Sequence, residues 1–147
     1  MPTTYFLDTS ALVKRYHLET GTACLDAVLS ESDATFLIAS ITIAELTSAI
    51  ARKYAEREIT QEALRHTLSK FAEDLIADFW ILDLERCHIQ AAQQLILQHG
   101  LRTLDSLQLS VLLSVKTLSP VLLSSDARLL AAAEAVGIAV RDPSAIR

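Results

Sequence analysis

Glycine and proline are scarce in this chain, with three of each in 147 residues, and the glycines stand far apart at Gly21, Gly100 and Gly137. No glycine-rich turn follows a strand-like segment, which excludes the phosphate-cradling loops of nucleotide-binding folds. Two cysteines, Cys24 and Cys87, are too few for a disulfide scaffold, and neither is paired with His or Cys at zinc-ligand spacing. Each sits in an apolar helical pattern and reads as a core thiol. Basic charge is short as well: 13 Lys and Arg face 18 Asp and Glu, for a net charge of -5. That is the wrong sign for gripping a polyanion by global electrostatics, so any nucleic-acid contact has to be local. Lys14-Arg15 and Arg52-Lys53 with Arg57 are candidate cations, and a solvated helix face accounts for them equally well. Long apolar runs are missing too: none reaches the roughly 18 residues of a membrane span. The chain enters a strand-like segment directly after Met1, without the pattern of a signal peptide. The expectation is a soluble, cytoplasmic protein.

What is present is a core-forming composition, 51% hydrophobic against 21% charged, in a length suited to one domain spanning residues 1–147. Tyr5-Phe6-Leu7 reads as a strand, and Asp8-Thr9-Ser10 as the cap of a helix through Ala11, Leu12, Val13 and Tyr16. A helix with Leu25, Val28 and Leu29 follows Gly21. The strand Thr35 to Ala39 then leads into a helix from Ile43 to Tyr54. Gln61 to Ala77 forms an amphipathic helix with Leu64, Leu68, Phe71, Leu75 and Ile76 on one stripe, making a hairpin with its predecessor. Trp80-Ile81-Leu82 reads as a strand, followed by a helix with Ile89, Ala92, Leu95 and Ile96 that stops at Gly100. Thr103 starts another helix. Val121-Leu122-Leu123, a helix ending at Gly137 and Ile138-Ala139-Val140 complete the pattern, with a loose tail from Asp142. Short apolar strands alternating with longer helices predict an α/β fold of three layers, a central parallel sheet with helices on both faces. Ligands of such sheets collect at the carboxyl ends of the strands.

Four acids fall at those strand-to-helix or loop-to-helix transitions, and each has an ordinary local explanation. Asp8 and Asp126 follow strands where an N-cap would accept backbone N–H bonds. Glu45 follows Thr42 at the spacing of a capping box, and Asp105 lies in a first helical turn, where the macrodipole welcomes a carboxylate. Taken together they point further, because one edge of one sheet would gather all four. Clustered carboxylates repel and raise one another's pKa values, an arrangement that makes sense with a multivalent cation. Oxygen ligands alone suit Mg2+ or Mn2+ rather than zinc. His17, His66, His88 and His99 show no ligand spacing.

The blocks around these acids resemble a known family. Tyr5-Phe6-Leu7-Asp8-Thr9-Ser10-Ala11-Leu12-Val13-Lys14 is similar to the opening motif of PIN-domain proteins, in particular the VapC-type toxins of toxin–antitoxin pairs. Ser40 through Glu45 resembles the second motif, Leu101 through Leu109 the third and Leu123 through Leu130 the fourth, in order across almost the whole chain. The resemblance implies a three-layer PIN-like fold and an acidic quartet of Asp8, Glu45, Asp105 and Asp126 as catalytic and metal-binding residues. Ser10 and Ser124 would be its polar neighbours. It further implies a Mg2+- or Mn2+-dependent endoribonuclease, a VapB-like antitoxin partner and a homodimer, to which an apolar helix surface such as Leu129 to Ala135 would contribute.

The expected chemistry is hydrolysis of an RNA phosphodiester by water made more acidic through metal coordination, with Asp8 and Asp105 as the leading ligands. Glu45 and Asp126 would bind through water or orient the nucleophile. Lys14 is a candidate substrate-binding cation, its plainer reading being a solvent-facing helix residue. Single-stranded or looped RNA suits a small local grip. Two further roles are open to a PIN-like chain: an RNA-processing factor, or a catalytically silent binding or regulatory subunit. Other enzyme classes fit less well. A haloacid dehalogenase-type phosphohydrolase usually carries a second Asp where this chain has Ser10, and only Asp83 approximates the phosphoacceptor of a receiver domain.

Overall fold

The structure, a computed structural model, describes residues 2–145. Five short strands, β1 (Thr4–Leu7), β2 (Thr35–Ala39), β3 (Phe79–Leu82), β4 (Val121–Leu123) and β5 (Ala139–Arg141), form one parallel sheet in the order β3-β2-β1-β4-β5. Side chains alternate across a strand, so an unbroken apolar run supplies two cores. Tyr5, Leu7, Phe36, Ile38 and Leu123 point to one face, whereas Phe6, Leu37, Ala39 and Leu122 point to the other. The first face is covered by α1 (Thr9–Tyr16), α2 (Thr22–Leu29), α3 (Ile41–Ala55) and α4 (Gln61–Ala77), through Leu12, Leu25, Leu46, Ile50 and Phe71. The second is covered by α5 (Arg86–His99), α6 (Thr103–Ser114) and α7 (Ala127–Ala135), through Leu95, Leu109, Leu112 and Leu129. This is the expected three-layer α/β architecture. Burying each of these large side chains stabilises the fold by about 1.5–3 kcal/mol.

Chain direction through the sheet matters for function. From the central β1 the chain moves outward to β2 and β3, then returns to the other side of β1 for β4 and β5. The reversal puts a crevice at the carboxyl ends of β1 and β4. Register makes the juxtaposition close: Leu7 lies opposite Leu123, so the residues that follow, Asp8 and Ser124, leave the sheet side by side.

Helix ends follow local chemistry. Asp8, Thr60 and Asp126 cap α1, α4 and α7 by accepting N–H bonds from Ala11, Ala63 and Leu129. At the end of α5, Gly100 adopts φ 63°, the left-handed region that glycine tolerates best. A buried ion-pair cluster pins α4 to α1: Asp74, 1% exposed, accepts from Arg15 Nε at 2.9 Å, Tyr16 OH at 2.7 Å and Lys70 Nζ at 2.9 Å. Those partners hold its carboxyl below the usual range against the opposing effect of burial, and the same surroundings push the Tyr16 hydroxyl well up.

Several expectations need correction. Ile76 was placed on the apolar stripe of α4 but is 90% exposed, because Asp74 takes the inward position near the helix end. Cys87 is exposed in the first turn of α5 and Cys24 is half-buried beside Arg141, so neither is a core thiol. The segment from Asp142 is anchored as far as the described residues reach: Ser125 Oγ donates to Asp142 at 2.7 Å, and Ser144 Oγ donates to the Thr20 carbonyl at 3.0 Å. Leu129, Ala132 and Ala133 of α7 are buried within the chain's own core, which leaves Ala131 and Ala135 as exposed apolar positions of the anticipated surface. Larger exposed apolar side chains include Trp80 and Ile81 on edge strand β3, and Ile89 and Leu97 on α5. Among the described residues no helix is long and apolar enough to cross a membrane.

Candidate active site

The site is built on the β1 and β4 ends. Asp8 is 4% exposed, and its carboxylate accepts from Ser10 Oγ at 2.8 Å, the Ala11 amide at 3.0 Å and Ser124 Oγ at 2.9 Å. The two hydroxyls are themselves fixed from the other strand end, since the Ser125 amide donates to Ser10 Oγ at 2.9 Å and the Asp126 amide donates to Ser124 Oγ at 3.0 Å. Ser10 and Ser124 therefore orient Asp8 and join its loop to that of Asp126. Burial nevertheless pushes the Asp8 carboxyl up to about 7, with Asp105 adding in the same direction and the three hydrogen bonds opposing.

Asp105 enters from α6. Burial raises its pKa, next Asp126 and Glu45 raise it further, and Arg102 opposes them. These mutual influences link Asp105 to each of the other three acids. Asp126 Oδ1 caps α7 through the Leu129 amide at 3.0 Å. Glu45 is not held in the capping box anticipated with Thr42: α3 begins two residues earlier than expected, which puts Thr42 inside its first turn, fully buried. Glu45 instead accepts from Gln108 Nε2 at 2.7 Å, and the same nitrogen donates to Thr42 Oγ1 at 2.8 Å.

Two residues of the site were missed by the sequence reading. Gln108 carries a weak signal, a polar residue three positions after Asp105 and flanked by Leu107 and Leu109. Arg102 immediately precedes α6 and lies near enough to Asp105 to lower its pKa. Lys14, in contrast, sits in the last turn of α1, the end remote from Asp8. Its side chain is 7% exposed, with the ammonium 2.9 Å from Glu19 Oε1. It is neither a free cation at the carboxylates nor a solvent-facing helix residue. Arg15 is committed to Asp74 and Asp78, and Lys53 pairs with Glu58. Arg52 lines a cleft of about 430 Å3 together with Thr9, Ile41, Glu45 and Leu104.

The donor chemistry fits a hard divalent cation. Every candidate ligand is a carboxylate, and burial first, then neighbouring acids, raises the pKa values of Asp8 and Asp105. Among the described residues no three His, Cys, Asp or Glu stand close enough to hold an ion by themselves. That is compatible with Mg2+, which keeps several waters and uses only one or two carboxylates directly.

Comparison with known proteins agrees with this architecture. No match was found among curated proteins. Among solved structures, PAE2754 from Pyrobaculum aerophilum is similar at a TM-score of 0.68 and 20% identity, covering 96% of this chain and 84% of that one. VapBC2 from Rickettsia felis, bound to a promoter DNA fragment, gives a TM-score of 0.64 at 17% identity, covering 95% and 98%. A toxin-antitoxin complex from Klebsiella pneumoniae gives 0.66 at 18% identity, covering 97% and 99%. Identities this low speak for the fold. A family profile described as PIN domain matches residues 5–140, nearly the whole chain and a span that contains all four acids. The chain belongs to the PIN domain family.

Proposed function

We propose that this protein is a Mg2+- or Mn2+-dependent endoribonuclease, the toxin of a VapBC-type pair, acting in the cytoplasm. The observation that carries the reading is the charge influence linking Asp105 on α6 to Asp8, Glu45 and Asp126 on three other elements of a PIN-domain chain. Its partners are an RNA substrate, a VapB-like antitoxin and a second copy of itself. Support for the antitoxin comes from the fold-level likeness to VapBC and other toxin-antitoxin complexes.

Asp8 and Asp105 would hold the ion, with Glu45 and Asp126 completing the site. When bound, a divalent ion supplies Lewis acidity, making water more acidic and offsetting charge on phosphate oxygens. The chain's own residues do the rest. Ser10 and Ser124 fix the Asp8 carboxylate, so its orientation costs nothing when substrate arrives. Glu45 and Asp126 would accept a proton from the attacking water. Arg102 replaces Lys14 as the side chain available to offset charge on the scissile phosphate. The cleft beside Glu45 is large enough for a nucleotide, with Arg52 offering a cation to the backbone.

The direct experiment compares purified wild type with Asp105→Asn for Mn2+-dependent cutting of a looped RNA. A loss of roughly a hundredfold or more is expected for the variant. Equal cutting by the two proteins removes the carboxylates from the chemistry, and no cutting by a Mn2+-loaded wild type favours a silent binding subunit.

A further inference from the structure

The polar side chains buried on α6 invite one question. Ser106 and Ser110 spend their hydroxyls on backbone carbonyls, donating to Thr103 O at 2.6 Å and His88 O at 2.7 Å. Gln108, 2% exposed on the same helix, does something different. Its Nε2 donates across to α3, to Thr42 Oγ1 and Glu45 Oε1, while its Oε1 is buried without a partner among the described residues. Leaving a buried carbonyl unpaired is costly. The amide cannot relieve this by turning over, because that would set Oε1 against the Glu45 carboxylate, acceptor against acceptor. An amide here thus gives up one hydrogen bond in order to point a donor at Glu45.

We infer that Gln108 is a positioning residue for Glu45, fixing one of its carboxylate oxygens so that the side chain is pre-set toward the divalent cation. The inference rests on the metal-dependent reading proposed above and adds a residue to it. Gln108 lies one helical turn after Asp105, so a single turn of α6 supplies one acid and orients another from a different element. The partner that holds a ligand in place typically matters tenfold to a hundredfold for metal affinity. A glutamine that merely fills the core makes a different prediction. Its apolar near-isostere would lose no metal affinity, since core packing alone does not orient Glu45.

The test is Mn2+ titration calorimetry on wild type, Gln108→Met, Glu45→Gln and the double variant, with thermal unfolding of each in chelator and in Mn2+. Gln108→Met is expected to stay folded, with a metal-free Tm close to wild type because losing the orphaned carbonyl offsets the hydrogen bonds lost at Thr42 and Glu45. It should bind Mn2+ roughly tenfold or more weakly and gain a smaller Tm rise from the ion. In the Glu45→Gln background, Gln108→Met should cost nothing further, because the residue it positions is already altered. Wild-type affinity in Gln108→Met, or losses that simply add in the double variant, would overturn the inference while leaving the metal reading intact. A wild type that binds no Mn2+ overturns both. Should the methionine variant not fold, Gln108→Asn keeps the amide but falls one methylene short, and it carries the same expectations for Mn2+ affinity and for the double variant.

Discussion

Moving the metal-free protein from pH 5 to pH 8 ionises Asp8 inside the fold, and the structure determines what that costs. The carboxyl is buried, which pushes its pKa up to about 7 from an ordinary 3.8. The native state therefore holds this proton more tightly than the unfolded chain. The resulting stabilisation is fully present below about pH 4 and is lost as pH rises through 7. About three pKa units correspond to on the order of 4 kcal/mol, of which roughly 2–3 kcal/mol disappears between pH 5 and 8. Asp105, also raised, acts with the same sign. Urea unfolding in chelator at pH 5, 6, 7 and 8 should show a falling free energy. Asp8→Asn should flatten the profile, because an amide does not ionise, although it must re-pair with Ser10 and Ser124. Saturating Mn2+ should reverse the trend, since an ion that binds the deprotonated site stabilises the fold in proportion to its occupancy, by about 2.7 kcal/mol at a hundred times its dissociation constant. Metal-free stability that stays level or climbs over this range, with wild type and Asp8→Asn running parallel, would refute the burial argument.

Other expectations follow from the geometry. Asp74→Ala strands Arg15, Tyr16 and Lys70 without their shared acceptor and should destabilise the protein by about 3 kcal/mol in urea. Because the Asp74 carboxyl is held low, the wild-type contribution is present above about pH 4 and fades as the pH drops through the lowered folded-state value, the opposite trend to that of Asp8. Lys14→Met should leave the rate of RNA cutting unchanged at saturating substrate, since the ammonium is spent on Glu19, whereas Arg102→Gln should slow it.

Local signals in the chain carried far. The caps at Asp8 and Asp126, the left-handed stop at Gly100 and the bounds of the Gln61–Ala77 helix depend on neighbours within a turn, so a linear reading reaches them. The same reading erred where distant groups compete for a side chain. Thr42 and Glu45 have the spacing of a capping box, yet Gln108, 63 residues from Glu45, takes both. Lys14 and Arg15 look like a free basic pair until Glu19 and Asp74 claim them.

By itself, then, the sequence determined the alternation of strands and helices, the parallel sheet with two buried faces, and the four positions where acids stand at helix starts. The physical reason is that backbone periodicity and capping are short-range. Tertiary structure alone decided what each of those positions faces. Strand register set Asp8 beside Ser124, α6 brought Asp105 within electrostatic reach of Glu45 and Asp126, and an amide across the α3–α6 contact fixed Glu45. Desolvation and charge repulsion depend on distances that only folding sets, and so does the raised pKa of the Asp8 carboxyl.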